Sequence, residues 1–328
     1  GRELLRGVEQ EILLQAITSY MDVVRDLEIV DLSGSNVNVL NKQLGASQER
    51  FDVGEVTRTD VSQSQSRLSR SEAEQSQAAG ALVASRATFK RVVGSDADEV
   101  DVPTKIPPLP ATLDEALEMV LEHNPNLKRA EYVREALDEQ IWSNKSQMLP
   151  SASLVGSMRR EEGAGVSGGS EFDNDTLVVA MNVPLYQAGA ASSRVREAKQ
   201  RYQEAKYDAM DARNEAIERM TRAWQSLETA RASIRANEAA IDAADVALEG
   251  VKQEQQYGAR TVLDVLDAEQ ELFASRVNLV RSRRNELVAA YTILSVLGWL
   301  TPERLGLEVP VYNPEEHFEQ VQYKPFGF

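Results

Sequence analysis

Asp264 and Asp267 stand three residues apart in VLDVLDAEQ, a stretch with no glycine or proline. On a helix that spacing places both carboxylates on one face. The chemistry on offer is electrostatic: carboxylates lining a narrow path draw in cations and turn anions away. Acidic pairs on long helices are ordinarily solvated faces. What singles this one out is its place beyond the turn YGARTVLDV, residues 257–265, whose counterpart VGEVTRTDV, residues 53–61, carries Asp60 in the same position. Gly54 and Gly258 serve as the turn residues, because glycine adopts positive φ without steric cost. Covalent chemistry has little to work with. The 328 residues contain no cysteine, so disulfides, thiol nucleophiles and thiolate metal sites are excluded. His123 and His317 are the two histidines, and neither lies at metal-ligand spacing from other ligands. GVSGG at residues 165–169 matches the nucleophile-elbow pattern, but it sits in a Gly, Ser and acidic loop rather than a strand-to-helix turn. No enzyme, cofactor or metal site is expected.

The elements that carry the two turns come from an internal duplication. Gly54 and Gly258 lie 204 residues apart, and so do Gly94 and Gly298. The same offset pairs Thr57 with Thr261, Asp60 with Asp264, Val61 with Val265, Leu68 with Leu272, and Tyr20 with Trp224. Residues 1–108 therefore read as a first repeat with a tip near 53–61, residues 109–312 as a second, and residues 313–328 as a tail. The stretch 109–204 has no counterpart ahead of residue 1, so the first repeat is expected to lack about 96 residues at its start.

The second repeat opens with Thr112 as an N-cap and Glu115 three residues on, a capping box. A helix follows over 112–149, with a break suggested at Pro125. Strands are expected at about 150–160 and 175–185, where Leu177, Val179, Met181, Val183 and Leu185 alternate onto one face. A helix over 190–257 would be on the order of 100 Å long. The tip at 257–265 then leads into a helix over 262–297. Alanines recur at seven residues (191, 198, 205, 212 and 209, 216, 223, 230), as do Leu266, Phe273, Val280, Leu287 and Leu294. That period describes helices wound around one another with small residues at the seam.

Composition narrows the partners. Hydrophobic residues make up 42% and charged residues 27%, too apolar for disorder and too charged for a helical membrane bundle. A net charge of −16 with no basic stripe excludes nucleic acid. No apolar run is long enough for a transmembrane helix.

The two tips, the VPLYQAG joining the last strand to the long helix, and the LEHNPNL after a Pro-rich linker together resemble the TolC family of outer-membrane efflux and type I secretion ducts. The resemblance covers nearly the whole chain. It implies a mainly α homotrimer in which each chain gives four strands to one twelve-stranded β-barrel in outer-membrane lipid. An α-helical coiled-coil barrel would continue it across the periplasm. Two strands per repeat cannot close a barrel alone, so oligomerisation is required. The implied partners are a periplasmic adaptor (membrane fusion protein) and an inner-membrane transporter of RND or ABC type. Asp264 and Asp267 would form two stacked carboxylate rings at the tunnel's inner end. Arg260 would hold the tips closed against Thr59 and Asp60, and Gly54, Thr57, Val61, Gly258, Thr261 and Val265 would shape the tips for the adaptor. Where family members often place a tyrosine three residues before the tip glycine this chain has Gln255, with Tyr257 beside the glycine instead. The alternative class is a soluble coiled-coil scaffold or adaptor protein, which would need hairpins and heptads but not the strand pair.

Overall fold

The computed structural model describes residues 1–97, 100–101, 108–162, 171–307 and 314–323. In order these form α1 (Arg2–Asp52), α2 (Arg58–Val93), α3 (Leu113–His123), α4 (Pro125–Ser146), β1 (Ser151–Glu162), β2 (Glu171–Asn182), α5 (Ala190–Gln256), α6 (Val262–Leu297), α7 (Pro302–Leu305) and α8 (Pro314–Val321). They divide into two compact units, one of residues 1–126 with 215–328 and one of residues 127–214.

In the larger unit, α1 and α2 make a hairpin whose seam follows a seven-residue period. Ser19, Asp26, Ser33, Leu40 and Ser47 are buried along α1, and Ser64, Leu68, Ser71, Ala78 and Ser85 along α2. Small side chains at this spacing let the backbones approach. Their hydroxyls are satisfied locally: Ser47 Oγ donates to Gln43 O (2.9 Å) and Ser64 Oγ to Asp60 O (3.1 Å). Ser47 and Ser64 also meet across the seam at 3.1 Å, and Asn36 Nδ2 donates to Ser71 Oγ at 3.0 Å.

A second core joins α3, α5 and α6 through Ala116, Val120, Ala216, Met220, Ala223, Leu227, Ala289, Ala290, Ile293 and Leu297. Asn124 fixes this junction by donating from Nδ2 to Val296 O at 2.8 Å. Gln10 clamps the same end of α6 to α1, donating to Leu300 O (2.9 Å) and accepting from Leu300 N–H (2.8 Å). Gly298 ends α6 at φ +74°, with His123 O where a Cβ would come to 2.9 Å.

The smaller unit holds α4, the strand pair and the start of α5. β1 and β2 are antiparallel, with Leu154 opposite Val179 and Gly156 opposite Leu177.

Several expectations are adjusted. The stretch 112–149, expected as a helix with a break at Pro125, forms two helices, α3 and α4, divided at Asn124 because Pro125 lacks an N–H and excludes the preceding residue from helical backbone, and α4 ends at Ser146 rather than 149. Glu115 does not close a capping box on Thr112; Thr112 Oγ1 accepts from Glu115 N–H (3.2 Å), but Glu115 Oε2 reaches Ala111 N–H instead (2.8 Å). β2 spans Glu171–Asn182 rather than 175–185, so Val183 and Leu185 lie beyond it; Pro184 cannot donate to a ladder. The tail contains α8, whose Pro314 stands at its first residue, where a missing N–H costs nothing. GVSGG and the His317 side chain lie outside the described part of the structure.

Candidate functional site

The two turns are built from the same hydrogen bonds at the same offset. At the first, Val53 N–H donates to Glu49 O (3.3 Å), Gly54 N–H to Phe51 O (2.9 Å) and Glu55 N–H to Arg50 O (2.8 Å). At the second, Tyr257 donates to Gln253 O (3.3 Å), Gly258 to Gln255 O (3.0 Å) and Ala259 to Glu254 O (2.9 Å). Gly54 and Gly258 adopt φ of +81° and +74°, the left-handed region that glycine enters without a Cβ penalty.

Each following helix opens on a closed capping box. Thr57 Oγ1 and N–H both donate to Asp60 Oδ2 (2.7 and 2.9 Å), while Thr57 Oγ1 accepts from Asp60 N–H (3.3 Å). Thr261 and Asp264 repeat this at 2.8, 2.8 and 3.3 Å. The aspartates are thus tied down by orphan N–H groups at a helix N-terminus, which favour negative charge. The Thr261 backbone N–H, then its side chain, holds the Asp264 carboxyl below its ordinary range.

Side chains distinguish the tips. Arg260 Nε donates to Glu254 Oε2 at 2.8 Å across its own turn, and that bond raises the guanidinium pKa further, so Arg260 is always charged. Within this single chain no hydrogen bond or ion pair joins Arg260 to Thr59 or Asp60, among the described residues. Thr59 is exposed and Val61 partly buried. Val265 is buried with Leu248 and Leu272, on the face of α6 toward α5. Val262 and Leu266 are buried on its other side against Leu40 and Leu68 of the first hairpin, with Val56 beside them.

Asp267 is paired with Arg67 of α2. This partner was not singled out from the sequence, since Arg67 has no equivalent basic residue in the second copy and stands amid serines and glutamines. Lys252 and Glu269 add a 2.6 Å ion pair between α5 and α6 just behind the tip.

The strand pair is a second candidate surface. Its register puts Ala152, Leu154, Gly156 and Met158 on one face with Met181, Val179 and Leu177, and puts Ser151, Ser153, Val155 and Ser157 on the other with Asn182, Ala180, Val178 and Thr176. The apolar face is uncovered: Leu154 is 68% exposed, Leu177 and Val179 each 75% and Met158 90%. Asp173, Asp175 and Arg160 follow on that same face, with Arg160 Nε on Asp173 Oδ1 at 3.0 Å, and end the apolar stretch. One face is thus suited to lipid and the other to water. Among the described residues no helix is long and apolar enough to cross a membrane.

Residues 116–299 match the family described as outer membrane efflux protein. The outer membrane efflux protein BepC of Brucella suis is 33% identical over 326 residues, covering 99% of this chain and 72% of that protein. Outer membrane protein TolC of Escherichia coli is 24% identical over 327 residues, covering 94% of this chain and 66% of that protein. Among solved structures, one of CusC that concerns transmembrane channel formation superposes with a TM-score of 0.79 at 17% identity, covering 90% of this chain and 70% of that one.

Proposed function

This chain belongs to the outer membrane efflux protein family, the TolC family, and on that premise we propose that it is the exit duct of a tripartite efflux pump or type I secretion system. The protein is a non-enzymatic outer-membrane component. In the proposed assembly three copies each give four strands to a twelve-stranded barrel, and their helical hairpins enclose a tunnel across the periplasm. The observation that carries this reading is the two-faced strand pair, which supplies a lipid face and a water face. Its outer edges must be paired, because unpaired backbone groups are not tolerated in lipid. A soluble scaffold gives no account of seven neighbouring apolar or small residues facing outward on two strands.

The tips are the proposed gate. Three copies of Asp264 and Asp267 would ring the tunnel's inner end, binding cations and opposing anions. Arg260 would reach Thr59 and Asp60 of a neighbouring copy when the gate is closed, exchanging with its own Glu254. A periplasmic adaptor that binds the open tips better would shift the population toward the conducting state. An inner-membrane transporter of RND or ABC type would supply cargo, drugs or polypeptides.

The test is export. The complete protein, co-expressed with its adaptor and transporter in a Gram-negative strain lacking such a duct, is expected to restore efflux of a fluorescent dye or secretion of a polypeptide. Normal outer-membrane assembly with neither form of export would overturn the proposal.

A further inference from the structure

The Arg67 and Asp267 ion pair joins the first hairpin to α6 at the tip, yet neither partner recurs in the other copy. The position matching Arg67 is Glu271, and the position matching Asp267 is Gln63. The apolar contact beside the pair breaks in the same way, since Val262 and Leu266 on α6 match Arg58 and Ser62 on α2. The backbone of the tips is therefore shared while the side chains of this seam are not. The seam also treats the two gate carboxylates differently. Asp264 is held by Thr261 and, among the described residues, forms no hydrogen bond or ion pair with a cation; Arg260 is bonded to Glu254 and acts on Asp264 only through space. Asp267 carries a guanidinium whose own side chain is only 27% exposed, while the carboxylate is 57% exposed.

We infer that Arg67 sets the charge of the gate: it positions and neutralises Asp267, latches α2 to α6, and leaves Asp264 to hold the exchangeable cation. This rests on the channel reading above. Arg67 is a positioning residue, acting through Asp267 rather than on the permeating ion. An arginine stem packed against the helix with its head on an exposed carboxylate suits this task, since it holds a fixed position while water still reaches the acid. Two stacked rings of equal charge would bind a divalent cation at both levels. Here one level is cancelled, which leaves a weaker, single-level block that a partner can relieve.

The test is divalent-cation block of single channels formed by the complete protein, with magnesium as the probe. Arg67→Gln is expected to tighten block by about two- to fivefold, the scale of an exposed ion pair. Asp267→Asn, which leaves Arg67 unpaired, is expected to weaken it by a similar factor. The double variant should return to within about twofold of wild type. A merely structural role for Arg67 cannot produce opposite signs with mutual rescue. Unchanged or weaker block in Arg67→Gln, or a double variant matching Asp267→Asn, would overturn the inference. If the wild type shows no block, the carboxylate-ring reading fails, and the latch is decided separately. These 328 residues have no cysteine, so Arg67→Cys with Asp267→Cys introduces the only thiols in them. A short bismaleimide is expected to bridge them within one chain; bridging between chains, or none when both thiols are reactive, would refute the latch.

Discussion

Thr261 does two things with one hydroxyl, accepting from the Asp264 N–H and donating to the Asp264 carboxylate. The bonds to the carboxylate oxygen stabilise its charged form, so the folded pKa lies below the unfolded one. The contribution to stability is therefore complete above the unfolded value and is lost only as pH falls through the lower folded value. Divalent block is accordingly expected to be flat from neutral pH to about pH 5, an ordinary carboxylate titrating near 4. In Thr261→Val the backbone N–H remains and the hydroxyl is gone, so acid loss of block should begin at higher pH than in wild type. The same change should lower stability by about 1 kcal/mol through the lost cap, read by denaturant unfolding. An unshifted acid limb would mean that Asp264 is not the blocking group. At this scale the tips were legible, because a glycine, a threonine and an aspartate recur at one offset. The Arg67 partner was not, because ion pairs 200 residues apart leave no periodic mark.

Among the elements, the alanine heptads of α5 were visible as a stripe, and Ala198, Ala205, Ala209, Ala216, Ala223 and Ala230 are buried. The equivalent seam of α1 and α2 was missed because it is written in serine, which sequence reading assigns to solvent. Size and not polarity is what close helices select, and the helix's own carbonyls satisfy the hydroxyl. The helix ends divide in the same physical way. Gly258 and Gly298 look alike in sequence and share a φ of +74°, but a Cβ at Gly258 meets nothing within 4 Å while one at Gly298 meets His123 O and Pro125 Cδ at 2.9 Å. Gly258→Ala is expected to cost about 1 kcal/mol, the left-handed backbone penalty alone. Gly298→Ala should cost clearly more and displace the Asn124 clamp on Val296. Equal unfolding midpoints for the two variants would contradict this account of the junction.

For the whole molecule, the alternation in TLVVAMN points to a strand with an apolar face, while Val178 and Ala180 fall with Asn182 on the other, which is mixed in the strand alone. The pairing resolves it: Val178 and Ala180 sit among Ser153, Val155, Ser157 and Asn182, so that face is polar as a surface though not as a single strand. Adjacent residues should then differ sharply. Val179→Lys, on the apolar face, is expected to cost about 2 to 4 kcal/mol in lipid and to deplete assembled protein from the outer membrane, whereas Val178→Lys is tolerated. Equal depletion would place the hairpin somewhere other than a bilayer. The central claim, a duct gated by tip carboxylates, is tested most directly by single-channel conductance of the complete protein in a planar bilayer. Wild type is compared with Asp264→Ala plus Asp267→Ala, with and without magnesium. The account predicts small, cation-selective, magnesium-blocked currents that lose selectivity and block in the double variant. No conductance from protein correctly assembled and inserted would contradict the duct, and currents indifferent to the two substitutions would contradict its gate.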